Sequence, residues 1–518
     1  MTVVPAALTL VLGGVFLGRA SMAVYETATW FSSILPVSHI IGNSTYVDVV
    51  FLPYYLFMHF WLGVSQSLWW MRLPSLLAGA ATVEALVLLA RRWLPLGWSV
   101  LAGFLLALNP LFAAWTIQAR PYTAAALFAV LSTTALVNAI QHGGMRRWTL
   151  YGLASLCMLL LHLLAVFVLV AQLAGVAIAR RRSALVGMVA TIGCVAIAVS
   201  PLAVKAAGEA KQISWIPPTT LGTFNEVLAD VSGGHIAYEI ALVICGLIVI
   251  ASLAVTPTGS DRTLGFALCL AWGAVPALLL VLVSLLHPLY VSRYAVVCLP
   301  GVALTEALAG WRVWTILAVK RSPRYTSGSA SQAPTGAGYV HRRHRQRWAF
   351  VAAAITCGAA CLAGLGLLAH TSSDLQRRYY SDDYRSAAAA LSKDLSERPA
   401  PVAIIPNTQG IGFSYYVTLP RLAHALAGPV LQAFNMRVLH WPGAFAPGLR
   451  PAAWLRYSSV VEWPIGTDPD PPAAQCAAGW AIGGGSAVPS KPFIIDGSSC
   501  RVYQVRHYGA AWVASLTG

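Results

Sequence analysis

The sequence predicts an all-α polytopic membrane bundle of about 11 spans, followed by a C-terminal extracytoplasmic α/β domain. Three observations carry that reading. The 518 residues are 58% hydrophobic and only 10% charged, with a mean hydropathy of +0.68. Soluble domains carry about 25% charged residues, so a soluble enzyme and a disordered chain are both excluded. Apolar stretches long enough to span a bilayer recur along the first 370 residues. The acidic residues are also displaced: nine of the 18 fall after residue 370, where Pro, Gly and mixed charge mark a soluble region.

The spans fall near 4–20, 73–90, 98–116, 121–140, 148–161, 163–180, 184–203, 239–256, 264–285, 294–317 and 348–370. The apolar run 151–179 has Arg146 and Arg147 before it and Arg180, Arg181 and Arg182 after it. Basic clusters stay on the cytoplasmic side, so that run must cross twice, turning near His162. The same rule places Arg91, Arg92, Arg262 and the basic linker inside. The N-terminus is then cytoplasmic and residues 371–518 lie outside. The apolar piece 51–66 is too short for a further crossing and would invert Arg91 and Arg92, so it is expected as a juxtamembrane or re-entrant segment. The first segment lacks the cleavage pattern of a signal peptide.

The domain plan follows: a membrane core over 1–317 with a first outer loop at 21–72, a basic linker over 318–347, a last span at 348–370 and a soluble domain over 371–518. Seven basic residues and no acid lie between Lys320 and Arg347, so much of the net charge of +16 sits in one linker. That pattern fits a cytoplasmic loop against anionic lipid, with no nucleic acid as partner. The linker 322–346 is rich in Ser, Gly and Ala and is expected to be disordered. DDYRSAAAALSKDL predicts a helix, and the following PVAIIP a buried strand, the start of a small α/β domain. Cys476 and Cys500 lie in this polar region, where a disulfide is chemically allowed outside the cytoplasm.

Ionisable groups in such a chain must face a cavity or a partner, because charge in lipid is costly. The loop 21–72 holds Tyr25, Glu26, His39, Asp48, Tyr54, Tyr55 and His59 among apolar and aromatic residues. Glu26 and Asp48 are its only acids, and each has the chemistry of a general base at the water–lipid boundary. Arg120 and Arg293 sit at outer span boundaries, where two guanidiniums can grip a lipid-linked phosphate. Each also suits a headgroup anchor. Glu84 is expected to pair with Arg91 or Arg92, and Glu306 to make a structural contact between helices. His162 and Lys205 are further outer-face groups. No internal repeat or pair of interrupted helices supports a transporter.

In order and spacing, VYETATW, VDVVFLPYYLFMHFW, MRLPSLLAG, NPLFAAWTIQARPYTAAAL and HPLYVSRYAVVCLPG resemble the GT-C membrane glycosyltransferases. The likeness is to their protein O-mannosyltransferase-like and lipid A aminoarabinose transferase-like branch, as found in actinobacteria. The resemblance implies a GT-C-like fold in the bacterial plasma membrane, with a polyprenyl-phosphate-linked sugar, mannose first among candidates, as donor substrate. A glycan, lipid or protein of the envelope would be the acceptor. It also implies that Glu26 or Asp48 acts as base, that Arg120, Tyr122, Arg293 and Tyr294 face the donor phosphate, and that Gln118, Tyr54, Tyr55 and His59 line the substrate site. The chain departs from the family pattern at Tyr25 and Gln118, each standing where an acid is usual, and at Phe51, which stands where a His is frequent. A catalytically silent relative that binds a lipid-linked sugar or a partner protein is therefore the second reading. No compact ligand set marks a metal site, and a divalent cation is left open.

Overall fold

The structure, a computed structural model, describes residues 1–18, 21–44, 48–209, 216, 218–234, 236–320, 383–397, 402–405, 480–484, 493–495, 498–508 and 511–517. The basic linker beyond residue 320, the expected span 348–370 and Cys476 lie outside the described residues, as does the side chain of Cys500. The chain divides into two units, one of residues 1–15, 47–54 and 72–371, the other of 16–46, 55–71 and 372–518.

The helices run α1 (Val4–Phe16), α2 (Val24–Ser33), α3 (Val37–Asn43), α4 (Leu52–Leu62), α5 (Leu68–Ala90), α6 (Leu96–Ala107), α7 (Pro110–Thr116) and α8 (Tyr122–His142). They continue with α9 (Met145–Leu161), α10 (Val166–Ile178), α11 (Arg182–Gly208), α12 (Leu221–Ser232), α13 (Ile236–Val255), α14 (Asp261–Ser284), α15 (Leu299–Lys320) and α16 (Tyr384–Glu397). Six apolar stretches among the described residues are long enough to cross a membrane, or seven if the bent pair α6–α7 forms one span. Three shorter apolar helices accompany them: Val4–Phe16, Val49–Leu62 and Leu163–Ile178. The helical membrane class expected from composition is thus the class observed. The run 151–179 does break at His162, which has extended backbone between α9 and α10.

Local chemistry explains where the helices stop. Between α6 and α7 the axis turns by 67°, because Pro110 offers no N–H to continue the ladder. Asn109 caps the new start, its side-chain oxygen accepting from the Phe112 N–H at 3.1 Å while its amide donates to the Val231 carbonyl at 2.8 Å. Helix α14 opens on Ser260, whose hydroxyl accepts from the Thr263 N–H at 3.1 Å, with Asp261 in the first turn.

The core of the membrane unit is formed by α8 with α9, α10 with α14, and α15 with α6, α13 and α14. Helices α14 and α15 meet backbone to backbone: a Cβ on Gly301 would stand 2.5 Å from the Gly273 nitrogen, so only small residues permit the approach. A buried polar chain adds directionality. The Tyr151 hydroxyl donates to Gln172, and the Gln172 amide donates to Ser132 at 2.7 Å and Thr133 at 3.0 Å. At the basic end of the bundle, Arg181 pairs with Asp261 at 2.5 Å. Arg92 donates to Asn138 and Gln141. Among the described residues the expected pairing of Glu84 with Arg91 or Arg92 is not formed: neutral amides take Arg92, and a buried Glu84 carboxylate oxygen has no hydrogen-bond partner there. Helices α11 and α13 are mostly exposed apolar surface, as Val186, Ile197 and Leu247 show, the pattern of lipid-facing helices.

In the second unit, α16 and the strands β1 (Val402–Ile405), β2 (Trp480–Gly484), β3 (Phe493–Ile495), β4 (Ser498–Tyr508) and β5 (Ala511–Thr517) form a helix-backed sheet. The strand order is β1-β2-β5-β4-β3, with β1 parallel to β2 and the other pairs antiparallel. The expected helix and following strand are α16 and β1. An Arg506–Asp394 ion pair ties β4 to α16. Within the same unit Arg385 of α16 donates to the Gly18 carbonyl at 3.2 Å, and its backbone N–H to the Ser21 hydroxyl at 3.2 Å.

Candidate active site

In the membrane unit, the sharp turn after α7 delivers Gln118, Arg120 and Tyr122, and the helical turn Ser292–Cys298 delivers Arg293 and Tyr294. The first turn is pinned from two sides. The Ser75 hydroxyl donates to the Arg120 carbonyl at 3.1 Å, and the Thr123 hydroxyl donates to the Ser75 carbonyl at 3.0 Å. Both guanidiniums are nearly buried, with Arg120 5% and Arg293 7% exposed. Arg120 stacks 4.0 Å from the Phe51 ring centre, and Arg293 lies 5.3 Å from that of Tyr294, contacts in which an aromatic face steadies a cation. Phe51, the position where the family resemblance expects a His, therefore supports an arginine.

Tyr122 joins this group edge-on. Its ring meets Trp115 at 4.8 Å and His162 at 5.5 Å, and His162 in turn lies 5.2 Å from Tyr294. Three of these buried side chains hold polar atoms with no partner among the described residues: both amide atoms of Gln118, the Tyr122 hydroxyl and His162 Nε2. Such atoms cost about 1–3 kcal/mol each when left unmade. A set of them beside two arginines is what a polar, anionic ligand would satisfy.

Asp48 lies in the same unit, at the entrance to the short helical turn Val49–Phe51 that leads into α4. Its backbone is left-handed, with φ +58°, a conformation that Asp tolerates better than most residues. Glu209, just past α11, accepts the Val49 N–H with both carboxylate oxygens, at 3.2 and 3.3 Å. Burial raises the Glu209 pKa, and the Asp48 charge raises it further, against the opposing hydrogen bonds from the Val49 and Asp48 backbone. Two carboxylates thus share the approach to α4. Tyr54, on α4, is buried.

The remaining predicted residues belong to the second unit. Glu26 is fully buried, and its Oε2 accepts the Ala23 N–H at 2.9 Å, closing the N-terminus of α2. Tyr25 is half-buried and Tyr55 buried. The His59 Nδ1–H donates to the Ser33 carbonyl at 2.9 Å, which fixes that ring's tautomer. In the membrane unit the structure therefore gathers Gln118, Arg120, Tyr122, Arg293 and Tyr294. It adds two residues that the site prediction omitted. His162 was expected as an outer-face group and as the turn in a long apolar run, and Glu209 was legible only as a lone acid following one. Lys205 is exposed on α11. Among the described residues no group of three or more His, Cys, Asp or Glu side chains is placed to hold a metal.

Residues 50–205 match the family model of dolichyl-phosphate-mannose-protein mannosyltransferases, which bears out the resemblance to GT-C membrane glycosyltransferases over less than half of the chain. A search of curated protein sequences finds no match. Among solved structures the chain is similar to ArnT from Cupriavidus metallidurans in the apo state, at 13% identity and a TM-score of 0.48, over 80% of this chain and 84% of that one. The same protein bound to undecaprenyl phosphate aligns over 99% and 97% of the two chains, at 12% identity and a TM-score of 0.48. AglB from the archaeon Archaeoglobus fulgidus, in complex with an inhibitory peptide and a dolichol-phosphate, aligns at 12% identity and a TM-score of 0.45, over 80% of this chain and 62% of that one.

Proposed function

We propose that this chain is a membrane glycosyltransferase that takes a sugar, mannose first among candidates, from a polyprenyl-phosphate carrier and passes it to an envelope acceptor at the outer face. The observation that carries the reading is the buried cluster of Arg120 and Arg293 with the unsatisfied polar atoms of Gln118, Tyr122 and His162. In this reading the arginines bind the donor phosphate. Asp48 takes the proton from the acceptor hydroxyl, whose oxygen then bonds to the anomeric carbon. The bond from that carbon to the phosphate oxygen breaks, and its electron pair leaves with the phosphate. Preorganised cations stabilise the charge that develops there.

A second reading is a silent relative that binds a lipid-linked sugar without turning it over. It is favoured by Tyr25 standing where the family resemblance expects an acid, and by the engagement of Glu26 in capping α2. A transfer assay separates the two, using purified protein, radiolabelled polyprenyl-phosphate-mannose and an envelope acceptor fraction. Label passed to the acceptor by wild type and not by Asp48→Asn supports the enzyme and its base. Donor binding with no transfer across varied acceptors favours the silent relative. Parallel runs with a chelator and with added magnesium or manganese test the metal requirement.

A further inference from the structure

Helices α8 and α9 enclose a groove of about 680 Å³, which the reading above does not use. Its walls are apolar, formed by Phe128 and Leu131 of α8 and by Leu150 and Leu153 of α9. Leu131, Leu150 and Leu153 are 39%, 50% and 53% exposed, so in a bilayer these walls face acyl chains. One end of the groove is different: Arg146 and Arg147 line it, and both are exposed.

The charge at that end has no carboxylate partner among the described residues. Arg147 donates to the Gly143 carbonyl at 3.0 Å, which orients its guanidinium and leaves further N–H groups available. A third cation stands against the lining, because Arg92 donates to Asn138, a groove residue, at 2.7 Å and to Gln141 at 3.3 Å. Both acceptors are neutral amides. The acid of this region, Asp261, is taken by Arg181 at 2.5 Å and by the Gln141 amide at 3.2 Å. Among the described residues no carboxylate pairs with Arg92, Arg146 or Arg147.

A long apolar trough ending in guanidiniums complements a molecule with an apolar tail and an anionic head. We infer that this groove is a binding site for an anionic phospholipid. Its phosphate is held by Arg146 and Arg147, and an acyl chain lies along Phe128, Leu131, Leu150 and Leu153. The basic end marks the cytoplasmic leaflet by the distribution of positive charge, and that leaflet supplies anionic headgroups. A bound lipid would bridge α8 and α9 at the end where the two-glycine turn Gly143–Gly144 joins them. This inference does not depend on the transfer reaction, since none of its residues belongs to the candidate active site.

The test uses the full chain in detergent, supplied in turn with phosphatidylglycerol, phosphatidylcholine and undecaprenyl phosphate, with bound lipid counted by native mass spectrometry. Wild type is expected to retain phosphatidylglycerol over phosphatidylcholine and to melt at a higher temperature in its presence. Each arginine near a lipid surface contributes about 1 kcal/mol, so Arg146→Gln with Arg147→Gln should weaken retention about thirtyfold. The paired Lys substitutions should keep most of it. Leu153→Trp, which fills the trough and leaves the charges, should also lose the lipid while keeping the melting temperature measured without lipid. Equal retention of the two phospholipids by wild type would overturn the inference, as would full retention by the double Gln variant. Displacement of phosphatidylglycerol by an equimolar amount of undecaprenyl phosphate would also overturn it, by making the carrier lipid the occupant.

Discussion

The approach to α4 and the start of α2 each present a buried or half-buried carboxylate, and the two are built for different work. Glu26 is fully enclosed, and its Oε2 accepts a backbone N–H at the first turn of a helix. That role is structural: it satisfies a donor that the helix leaves over and favours the negative charge at the positive end of the dipole. Asp48 is only half-buried, sits on a left-handed backbone and has a second carboxylate, Glu209, within electrostatic reach. Strain and like charge held together are features that stability alone does not favour. An acid that completes a helix and an acid held at a cost are thus distinguishable by their surroundings, although the sequence offers both as equal candidates.

The strongest way to break this comparison is the pair Asp48→Asn and Glu26→Gln. General-base catalysis contributes about 10²- to 10⁴-fold, so Asp48→Asn should lower the initial transfer rate by that order while wild-type expression is kept. Glu26→Gln retains an acceptor oxygen and should leave the rate within a few-fold of wild type; a collapse of the rate in this variant alone would move the base to Glu26. Next in size is Arg120→Ala. Removing one preorganised donor to a developing anion costs about 10²- to 10³-fold, and Arg120→Lys should restore part of it because the charge returns without the fork. A smaller effect belongs to α2. Glu26→Ala removes the cap outright and should destabilise the protein by about 1–2 kcal/mol, read as a lower melting temperature that Glu26→Gln does not share.

The smallest effect sharpens the Asp48 side through pH. Burial and the Asp48 charge hold the folded-state pKa of Glu209 above its ordinary 4.5. For a carboxylic acid, a raised folded value means that the proton is bound more tightly in the folded protein. The associated stability is present in full below the unfolded value and is lost as pH rises through the folded one. Glu209→Gln, which keeps an acceptor for the Val49 N–H, removes this loss. Its melting temperature relative to wild type should therefore be higher at pH 7.5 than at pH 4. A difference that stays constant between those two pH values would show that the folded-state pKa of Glu209 is not raised.

Much of the fold was legible because its signals are local. The turn at His162 follows from an apolar run flanked by arginines on both sides. The 67° break at Pro110 falls inside a stretch expected as one span over 98–116, and the structure shows it where the proline lacks an N–H. The Ala-rich α16 and the strand after it were equally plain in the sequence. The pairing expected for Glu84 failed for a physical reason of the same kind. A helix places Arg92 near it in sequence, but Asn138 and Gln141 of α8 offer Arg92 neutral acceptors at the exposed end of the bundle.

The sequence by itself determined the class of the protein: a chain this apolar has to place most of its surface in lipid, and its arginine clusters mark the ends of α5 and α10 and the starts of α9 and α11. It also determined which residues carry usable charge, since so few are present. Tertiary structure alone decided which of them meet. Glu209 reaches Val49 across 160 positions, and His162 joins Tyr122 and Tyr294 from a separate pair of helices. Helical periodicity repeats every few residues and carries no record of such distances. They arise when α7, α8 and the turn before α15 pack together, which buries Arg120 and Arg293 among them.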